Sequence, residues 1–350
     1  MKCVQVALVA ALVAVVLLMV SCSQTAPAAT STSVSATKTT EPIKAAEPAK
    51  KVDFPIKGKA ITVIVPWAAG GANDVGARIL AADLEKELGT PLEVVNRAGA
   101  AGQVGTTELA RAKPDGYTVG VTAVPSTNTI YLDPDRKAAF GRKDLLPLAM
   151  HTMDPVTIAV RADSPIKTLK DLIDAARANP GKVKIGSSGV MNVNHLAILQ
   201  LQKLADVKFA IVQFDGGAQQ PTALLGGHID AACEQPGTLM PQIKSGALRL
   251  LGVMDRVPNE FVPDVPTFES QGFKIYMSTG RGWSLPAGTP KEIVDVYSNA
   301  FKKVMSSEEH KKKIREMGLV LRYMDSAEFS AYWDQLDKDI APLIPLAKES

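Results

Sequence analysis

The sequence of 350 residues has little cysteine, few aromatic residues and almost no charge imbalance, and each shortage excludes a class of protein. Of its three cysteines, Cys3 and Cys22 lie near the start, so Cys233 alone cannot form a disulfide framework or a cysteine zinc site in the body. Aromatic residues make up 5% of the chain and are not interleaved with basic residues, which argues against a base-stacking surface. Lys and Arg outnumber Asp and Glu by only 39 to 36, which argues against a strongly basic nucleic-acid binder and against an acidic tail.

The histidines also lack a pattern that would hold a metal. His151, His195, His228 and His310 are far apart in the sequence and show no spacing typical of metal ligands. We therefore expect no metal and no other cofactor, and we interpret Cys233 as a small buried residue. Apolar residues make up 46% of the chain, enough for packed cores, and the length predicts about two domains.

The first 56 residues predict a signal, an anchor and a tether. The apolar run 6–20 is shorter than the roughly 20 residues of a spanning helix and ends at Ser21, so residues 1–21 read as a signal peptide. Residues 18–22, Leu-Met-Val-Ser-Cys, resemble the lipobox of bacterial lipoproteins, which implies that Cys22 is lipidated; ordinary cleavage with an incidental Cys22 is the alternative. Residues 22–56 are rich in Ser, Thr, Ala, Pro, Lys and Glu, a composition typical of a disordered tether. These features predict a periplasmic or cell-surface lipoprotein, outside the cytoplasmic membrane.

The remaining chain alternates strands, glycine-rich loops and helices. The β-branched run Ile61–Val65 predicts a buried parallel strand, followed by a helix with Asn73 or Asp74 as its N-cap and Gly89 at its end. The same pattern predicts strands at 92–95, 117–122, 182–185 and 209–214. This alternation predicts an α/β fold, and open sheets of this kind bind ligands beyond the carboxyl ends of their strands. Two such sets, separated near residue 160, predict a ligand cleft between two lobes.

Seven motifs in this region occur in one order, among them Pro66-Trp67-x-x-Gly70-Gly71-x-x-Asp74 and Asn96-Arg97-x-Gly99-Ala100-x-Gly102. The others lie at residues 114–118, 186–196, 223–230, 263–267 and 286–290. On these motifs the chain resembles, over about residues 58–345, the TctC or Bug-type solute receptors of tripartite tricarboxylate transporters. Ala69, Ala98, Ala101 and residues 280–282 depart from the family pattern, as does Trp67, so the identity of the ligand stays open.

The resemblance implies a two-lobed periplasmic-binding-protein (Venus flytrap) fold, each lobe a mostly parallel sheet flanked by helices. Lobe 1 would comprise residues 57–160 and 281–350, and lobe 2 residues 161–280, with hinges near residues 160 and 280. The implied function is that of a receptor without catalysis, which passes a small organic acid to integral membrane transporter subunits. It would be held at the membrane by its lipid anchor and would not bind nucleic acid.

The candidate ligand-binding residues follow the predicted strands. Backbone N–H groups in glycine-rich loops at helix N-termini bind small anions without a formal cation. Residues of this kind are Gly70, Gly71, Ala72 and Asn73 in one loop and Ala101, Gly102 and Gln103 in the next. The resemblance implies that the two loops pinch one carboxylate; the alternative is that their glycines only make tight turns. The other candidates are Trp67, Ala69, Asp74, Ser126, Ser187, Ser188, Phe214, Gly216 and Gly217.

Several of these residues have a plain structural alternative. Asp74 is expected to cap its helix and fix the loop, or else to hold waters that bridge to the ligand. Ser187 and Ser188 would donate to the ligand from lobe 2 or cap the following helix. Trp67 and Phe214 are walls of the cleft or ordinary packing residues. We interpret His195 as a packed structural residue, and Arg281 either pairs with a second ligand carboxylate or is a structural cation.

Two other functions remain open on the sequence. One is a small-molecule sensor that reports to a signalling partner, and the other is a cell-surface enzyme. The enzyme is disfavoured because a nucleophile elbow would need glycine at Val190, and because the Gly-x-Gly-x-x-Gly fingerprint is absent. We therefore assign no catalytic residue.

Overall fold

The structure, a computed structural model, describes residues 53–349, in which strands and helices alternate. The strands are β1 Ile61–Val65, β2 Leu92–Asn96, β3 Thr118–Val124, β4 Leu145–Pro155, β5 Thr157–Arg161, β6 Lys184–Ser187, β7 Ala210–Gln213, β8 Ala231–Glu234, β9 Leu248–Val253, β10 Ser278–Pro286 and β11 Leu321–Met324. The helices are α1 Ala72–Leu88, α2 Gln103–Ala110, α3 Ser126–Leu132, α4 Leu169–Ala178, α5 Val193–Ala205, α6 Gln219–Leu225, α7 Pro236–Lys244, α8 Lys291–Ser306, α9 Glu308–Glu316, α10 Ser326–Ile340 and α11 Ile344–Glu349. The predicted signal peptide, Cys22 and most of the predicted tether lie outside the described residues.

The strands form two sheets, and each sheet with its helices is one lobe. The sheet of lobe 1 has the order β11-β4-β10-β3-β1-β2, and that of lobe 2 has the order β7-β6-β8-β5-β9. The predicted two-lobed α/β fold is confirmed. Each sheet is mixed, because β5 and β10 come directly from the other lobe, start at the interlobe edge and so run against their neighbours.

The chain crosses between the lobes at Val156, between β4 and β5, and again at Met277, before β10. The Val156 N–H donates to the Met277 carbonyl at 2.8 Å, and the Met254 N–H donates to the Val156 carbonyl at 2.8 Å. The crossings are therefore hydrogen-bonded side by side, in the manner of short strands. The predicted lobe boundaries, after residues 160 and 280, fall inside β5 and β10.

Both lobes have cores that follow from the sequence pattern. Strand β1 is buried because the sheet is covered on both faces, which explains its continuous run of β-branched residues. In lobe 2, helix α4 buries Leu169, Leu172, Ile173 and Ala176, residues spaced to share one helical face. None of the helices within residues 53–349 has the length and apolar character that a membrane span requires.

The lobes are also linked by contacts away from the crossings. The final helix, α11, packs against α5 of lobe 2, while Lys348 in α11 pairs with Asp133 of lobe 1 at 2.7 Å. The Arg322 Nη2 of lobe 1 donates to Asp255 Oδ2 of lobe 2 at 2.8 Å. The interlobe edges of the two sheets are thus held facing each other.

Candidate functional site

The loop after β1 contributes most of the candidate residues of lobe 1. Gly71 is the N-cap of α1, and its carbonyl accepts the N–H groups of Asp74 at 3.0 Å and Val75 at 2.9 Å. The predicted N-cap at Asn73 or Asp74 is therefore wrong, because extended backbone at a glycine fills that role. Since glycine offers no side-chain acceptor, the first N–H groups of this 17-residue helix have no side-chain cap. Residues 69–72 are exposed, including Ala69, so these donors lie at the surface of the lobe.

Asp74 is buried beneath this loop and holds it in place. Its carboxylate accepts hydrogen bonds from the Gly70 N–H at 2.9 Å, from Asn96 Nδ2 at 2.9 Å and from Arg78 Nε at 3.0 Å. Burial alone would raise the pKa of Asp74, but hydrogen bonds from Arg78, Gly70 and Asn96 hold that pKa below its ordinary value. The carboxylate faces inward, and it fixes the loop as predicted.

The loop after β2 lies beside the first loop, because Val65 and Asn96 pair at the ends of β1 and β2. Residues 99–102 all have positive φ, at 145°, 46°, 54° and 98°, so the chain turns sharply. Trp67 packs on this turn, and a Cβ added at Gly102 would lie 3.1 Å from the Trp67 ring. Gln103 begins α2 and donates through Nε2 to the Arg136 carbonyl at 3.2 Å. The structure thus brings the two predicted loops together.

Two further residues lie along the same edge of lobe 1. Ser126 begins α3 directly after β3, and its carbonyl accepts the hydroxyl of Thr129 at 2.9 Å. Arg281 donates to Asn73 Oδ1 at 3.0 Å and forms an ion pair with Asp154, the two charged side chains being only 12% and 11% exposed. Arg281 thus holds the first turn of α1, a contact that suits the structural role, one of the two expected for it.

The candidates of lobe 2 gather at the ends of β6 and β7. Ser187 is buried and its carbonyl accepts the Phe214 N–H at 2.8 Å, while Gly216 and Gly217 follow Phe214 in a half-buried loop. Phe214 itself is half-buried. This edge faces lobe 1, because Thr157, the first residue after the crossing, pairs with the end of β8.

Glu234, at the end of β8, is a residue of this edge that the sequence analysis missed. Its carboxylate accepts hydrogen bonds from Ser188 Oγ, from Asn194 Nδ2 at 3.0 Å, from Gln220 Nε2 at 3.1 Å and from the Gln235 N–H at 3.0 Å. It is 2% exposed, and burial raises its pKa against the lowering effect of Ser188, the Gln235 N–H and Asn194. A signal was available, since Glu234 is a charged residue directly at the end of an apolar strand.

Two cavities lie between elements of both lobes. One of about 240 Å³ is lined by Ala72, Asp154, Arg281 and residues 317–320 of lobe 1 and by residues 235–238 of lobe 2. Ala72 alone among the candidate residues lines it. The other, of about 540 Å³, lies beside α10, where Tyr276, Tyr323 and Tyr332 face the Arg322–Asp255 pair. Closer to the crossings, Gln235 Nε2 donates to Thr279 Oγ1 of lobe 1 at 3.2 Å.

Two histidines that are distant in sequence meet in the core of lobe 1. The Nε2 atoms of His151 and His310 are 2.9 Å apart, and His310 Nδ1 lies 2.9 Å from Asp83.

Burial lowers the pKa of His195 to about 4, in line with a packed structural residue. Within residues 53–349, no group of three or more His, Cys, Asp or Glu side chains is placed to hold a metal ion. Cys233 is buried, and burial raises the pKa of its thiol.

Comparisons with known proteins agree with this geometry. The family model of the tripartite tricarboxylate transporter family receptor, TctC, matches residues 76–345. The UPF0065 protein in the gbd 5' region of Cupriavidus necator is 32% identical over 312 residues, covering 87% of this chain and 93% of that protein. A crystal structure of a TctC solute-binding protein from Polaromonas, without ligand, is similar with a TM-score of 0.76 and 30% identity, covering 83% of this chain and 99% of that one. MatC from Rhodopseudomonas palustris, with bound malate, is similar with a TM-score of 0.63 and 27% identity, covering 84% of this chain and 100% of that one.

Proposed function

The chain belongs to the tripartite tricarboxylate transporter receptor family, and we propose on this premise that it captures a small organic carboxylate between its lobes and delivers it to a membrane transporter of that type. The observation that carries the proposal is the pair of adjoining loops at the ends of β1 and β2, in which residues 69–72 and 97–101 are exposed. The malate held by the related MatC supports a carboxylate as the ligand.

The first loop suits an anion because its donors need no rearrangement. The N–H groups at the start of α1 have no side-chain cap, and the dipole of a long helix favours negative charge at this end. Asp74 would repel an anion if it faced the cleft, but it is buried and hydrogen-bonded to Gly70 and Asn96. We propose that the loop of Gly70, Gly71, Ala72 and Asn73 binds one carboxylate through the N–H groups of Gly71, Ala72 and Asn73, since that of Gly70 is held by Asp74. The second loop, Ala101, Gly102 and Gln103, lies against the same carboxylate and donates through Ala101, since the N–H groups of Gly102 and Gln103 donate to Gly99 and Ala100. Trp67 forms a wall of this site.

Capture involves no chemical step in this proposal. Ser188, the serine at the edge of lobe 2, gives its hydroxyl to a carboxylate and not to a histidine base. The lobes close about the segments through Val156 and Met277, and the closed form is the one that the transporter recognises. Closure brings Ser187, Ser188, Phe214, Gly216 and Gly217 toward the ligand.

We also propose that residues 1–21 direct export and that lipidated Cys22 anchors the receptor outside the cytoplasmic membrane. Incorporation of labelled palmitate in cells should occur in the full chain and be lost in Cys22→Ser. Equal labelling of both proteins would refute the anchor without touching the binding proposal.

Ligand binding is tested on the purified protein. Native mass spectrometry would identify a co-purified acid, and thermal unfolding in a panel of small carboxylates that includes malate should show a raised Tm with at least one of them. The bound acid should be recovered unchanged after incubation. A recovered product would replace the receptor with an enzyme, and no binding by any carboxylate would refute the proposal.

A further inference from the structure

The polar groups at the interlobe edge of lobe 2 are already occupied by a carboxylate of the protein itself. We call Glu234, Ser188, Asn194, Gln220 and the Gln235 N–H the Glu234 cluster. Strands β6 and β8 are parallel neighbours with Gly186 opposite Ala232, so Ser188 and Glu234 follow at the same level of the sheet. Both residues therefore lie at the edge of the lobe 2 sheet that faces lobe 1.

The side-chain donors of this cluster are used within the protein. A serine hydroxyl has one hydrogen to donate, and that of Ser188 goes to Glu234. The amides of Asn194 and Gln220 donate to Ser188 Oγ at 2.8 and 2.9 Å and also reach Glu234. Gln220 is fixed in this orientation because its Oε1 accepts the Cys233 N–H at 3.2 Å. A second carboxylate arriving here would find these donors committed.

We take Glu234 to be ionised, although burial raises its pKa, and no cation in the described part of the chain neutralises it. Four donors point at the two oxygens of Glu234, an arrangement suited to the ionised form. Within residues 53–349, no Lys, Arg or His side chain forms an ion pair with Glu234. The carboxylate lies directly beneath the Gly217 loop, since a Cβ added at Gly217 would collide with Glu234 Oε2. Its carboxylate therefore lies next to the half-buried loop of Gly216 and Gly217, which is one of the loops expected to contact the ligand.

We propose that Glu234 makes the cleft select acids with a single carboxylate and a neutral or cationic far end, and reject dicarboxylates. This inference rests on the proposed function, because it assumes that lobe 1 binds one carboxylate. A second carboxylate on the ligand would lose its hydration and would be repelled by the charge of Glu234, with no free side-chain donor to compensate. A site rejects a close analogue through an unfavourable contact of this kind. The related MatC holds malate, a dicarboxylate, so the two receptors would differ in this respect.

The first test compares each dicarboxylate with its monoamide, which keeps the shape and removes one charge. The pairs are succinate and succinamate, glutarate and glutaramate, and adipate and adipamate, titrated by calorimetry into the wild-type protein at pH 7.5. In any pair that binds, we expect the monoamide to bind at least about tenfold more tightly, which corresponds to about 1.4 kcal/mol. This comparison needs no variant, so it stands even if a substitution in the cluster prevents folding.

The second test uses Glu234→Gln, which keeps the size and removes the charge. The preference for the monoamide should shrink at least about tenfold, because removing the charge of Glu234 strengthens binding of the dicarboxylate more than binding of the monoamide. Asp163→Asn is the matched control: it removes one negative charge from an exposed residue of lobe 2, and the preference should not change. Thermal unfolding of both variants confirms that they fold.

The outcomes separate this inference from the proposed function. If no carboxylate of the panel binds, the proposed function fails and the inference fails with it. If another carboxylate of the panel binds but no monoamide does, the receptor stands and the inference is overturned. If a dicarboxylate binds the wild-type protein as tightly as its monoamide, the receptor stands and the inference is overturned. An unchanged preference in folded Glu234→Gln overturns it too.

Discussion

Asp74→Ala tests whether a buried carboxylate holds the first anion-binding loop in place. The substitution removes the acceptor of the Gly70 N–H and of Asn96 Nδ2, at 2.9 Å each, and the partner of Arg78. We expect lower stability and weaker carboxylate binding together, because the same contacts stabilise the fold and shape the loop.

The size of the effect follows from which partners stay buried. A hydrogen bond to a charged group contributes about 1.5–3 kcal/mol. Arg78 is 48% exposed and regains water when the carboxylate is lost, so the loss comes mainly from Gly70 and Asn96. We expect a decrease of about 3 kcal/mol in the free energy of unfolding, or roughly 6 °C in Tm for a chain of this size. The Kd of the tightest carboxylate in the panel should rise at least about tenfold, since Gly70 is no longer fixed.

The matched control is Arg78→Ala, which removes the exposed partner and its 2.9 Å hydrogen bond to Asn96 Oδ1, but leaves the bonds of Asp74 to Gly70 and Asn96. It should cost less than about 1 kcal/mol and change Kd by less than about threefold. Urea unfolding and calorimetric titration of Asp74→Ala, Arg78→Ala and the double variant would separate the two contributions. The reasoning is refuted if Arg78→Ala is as damaging as Asp74→Ala, or if Asp74→Ala leaves both Tm and Kd unchanged.

Three further predictions concern lobe 1. Burial lowers the pKa of both His151 and His310, in His310 against the raising effect of Asp83. Stability that is complete above pH 6.5 should therefore fall as the pH drops below that value. Urea unfolding at pH 7.5 and 5.5 should show a smaller loss in His310→Gln than in the wild type, and an equal loss would contradict this. Gly71→Val should abolish carboxylate binding with little change in Tm, because the φ of Gly71 is −79° and a Cβ has room there. The control Gly141→Val, at the opposite end of the lobe, should bind the carboxylate normally. Retained affinity in Gly71→Val would remove this loop from the site. Arg281→Ala leaves the buried carboxylate of Asp154 without its cation and should lower the free energy of unfolding by about 3 kcal/mol. If Arg281 instead acts mainly on the ligand, the substitution would weaken ligand binding and leave Tm unchanged.

The sequence predicted those parts of the molecule that depend on local pattern. Strand β1 has the predicted bounds because its β-branched run and the residues that flank it determine them locally. The two glycine-rich loops were also found, since strand ends in adjacent parallel strands meet at one edge.

The parts that could not be predicted depend on residues far apart in the chain. The side chains of His151 and His310 meet across 159 positions, and those of Arg281 and Asp154 across 127. The role of Glu234 required the positions of Asn194 and Gln220, which only the packing of lobe 2 supplies. The local sequence pattern thus predicted where the loops lie. Which buried charges near them are neutralised depends on tertiary contacts.

The packing of α11 against α5 changes how the joint between the lobes works as a mechanism. Two lobes joined only by the neighbouring segments at Val156 and Met277 can both bend and twist about those segments. Helix α11 adds a third point of attachment, because it touches lobe 2 while Lys348 ties it to Asp133 of lobe 1. In the closure that we propose, this third attachment would suppress twisting and leave bending, so the opposed loops would meet in the same register each time.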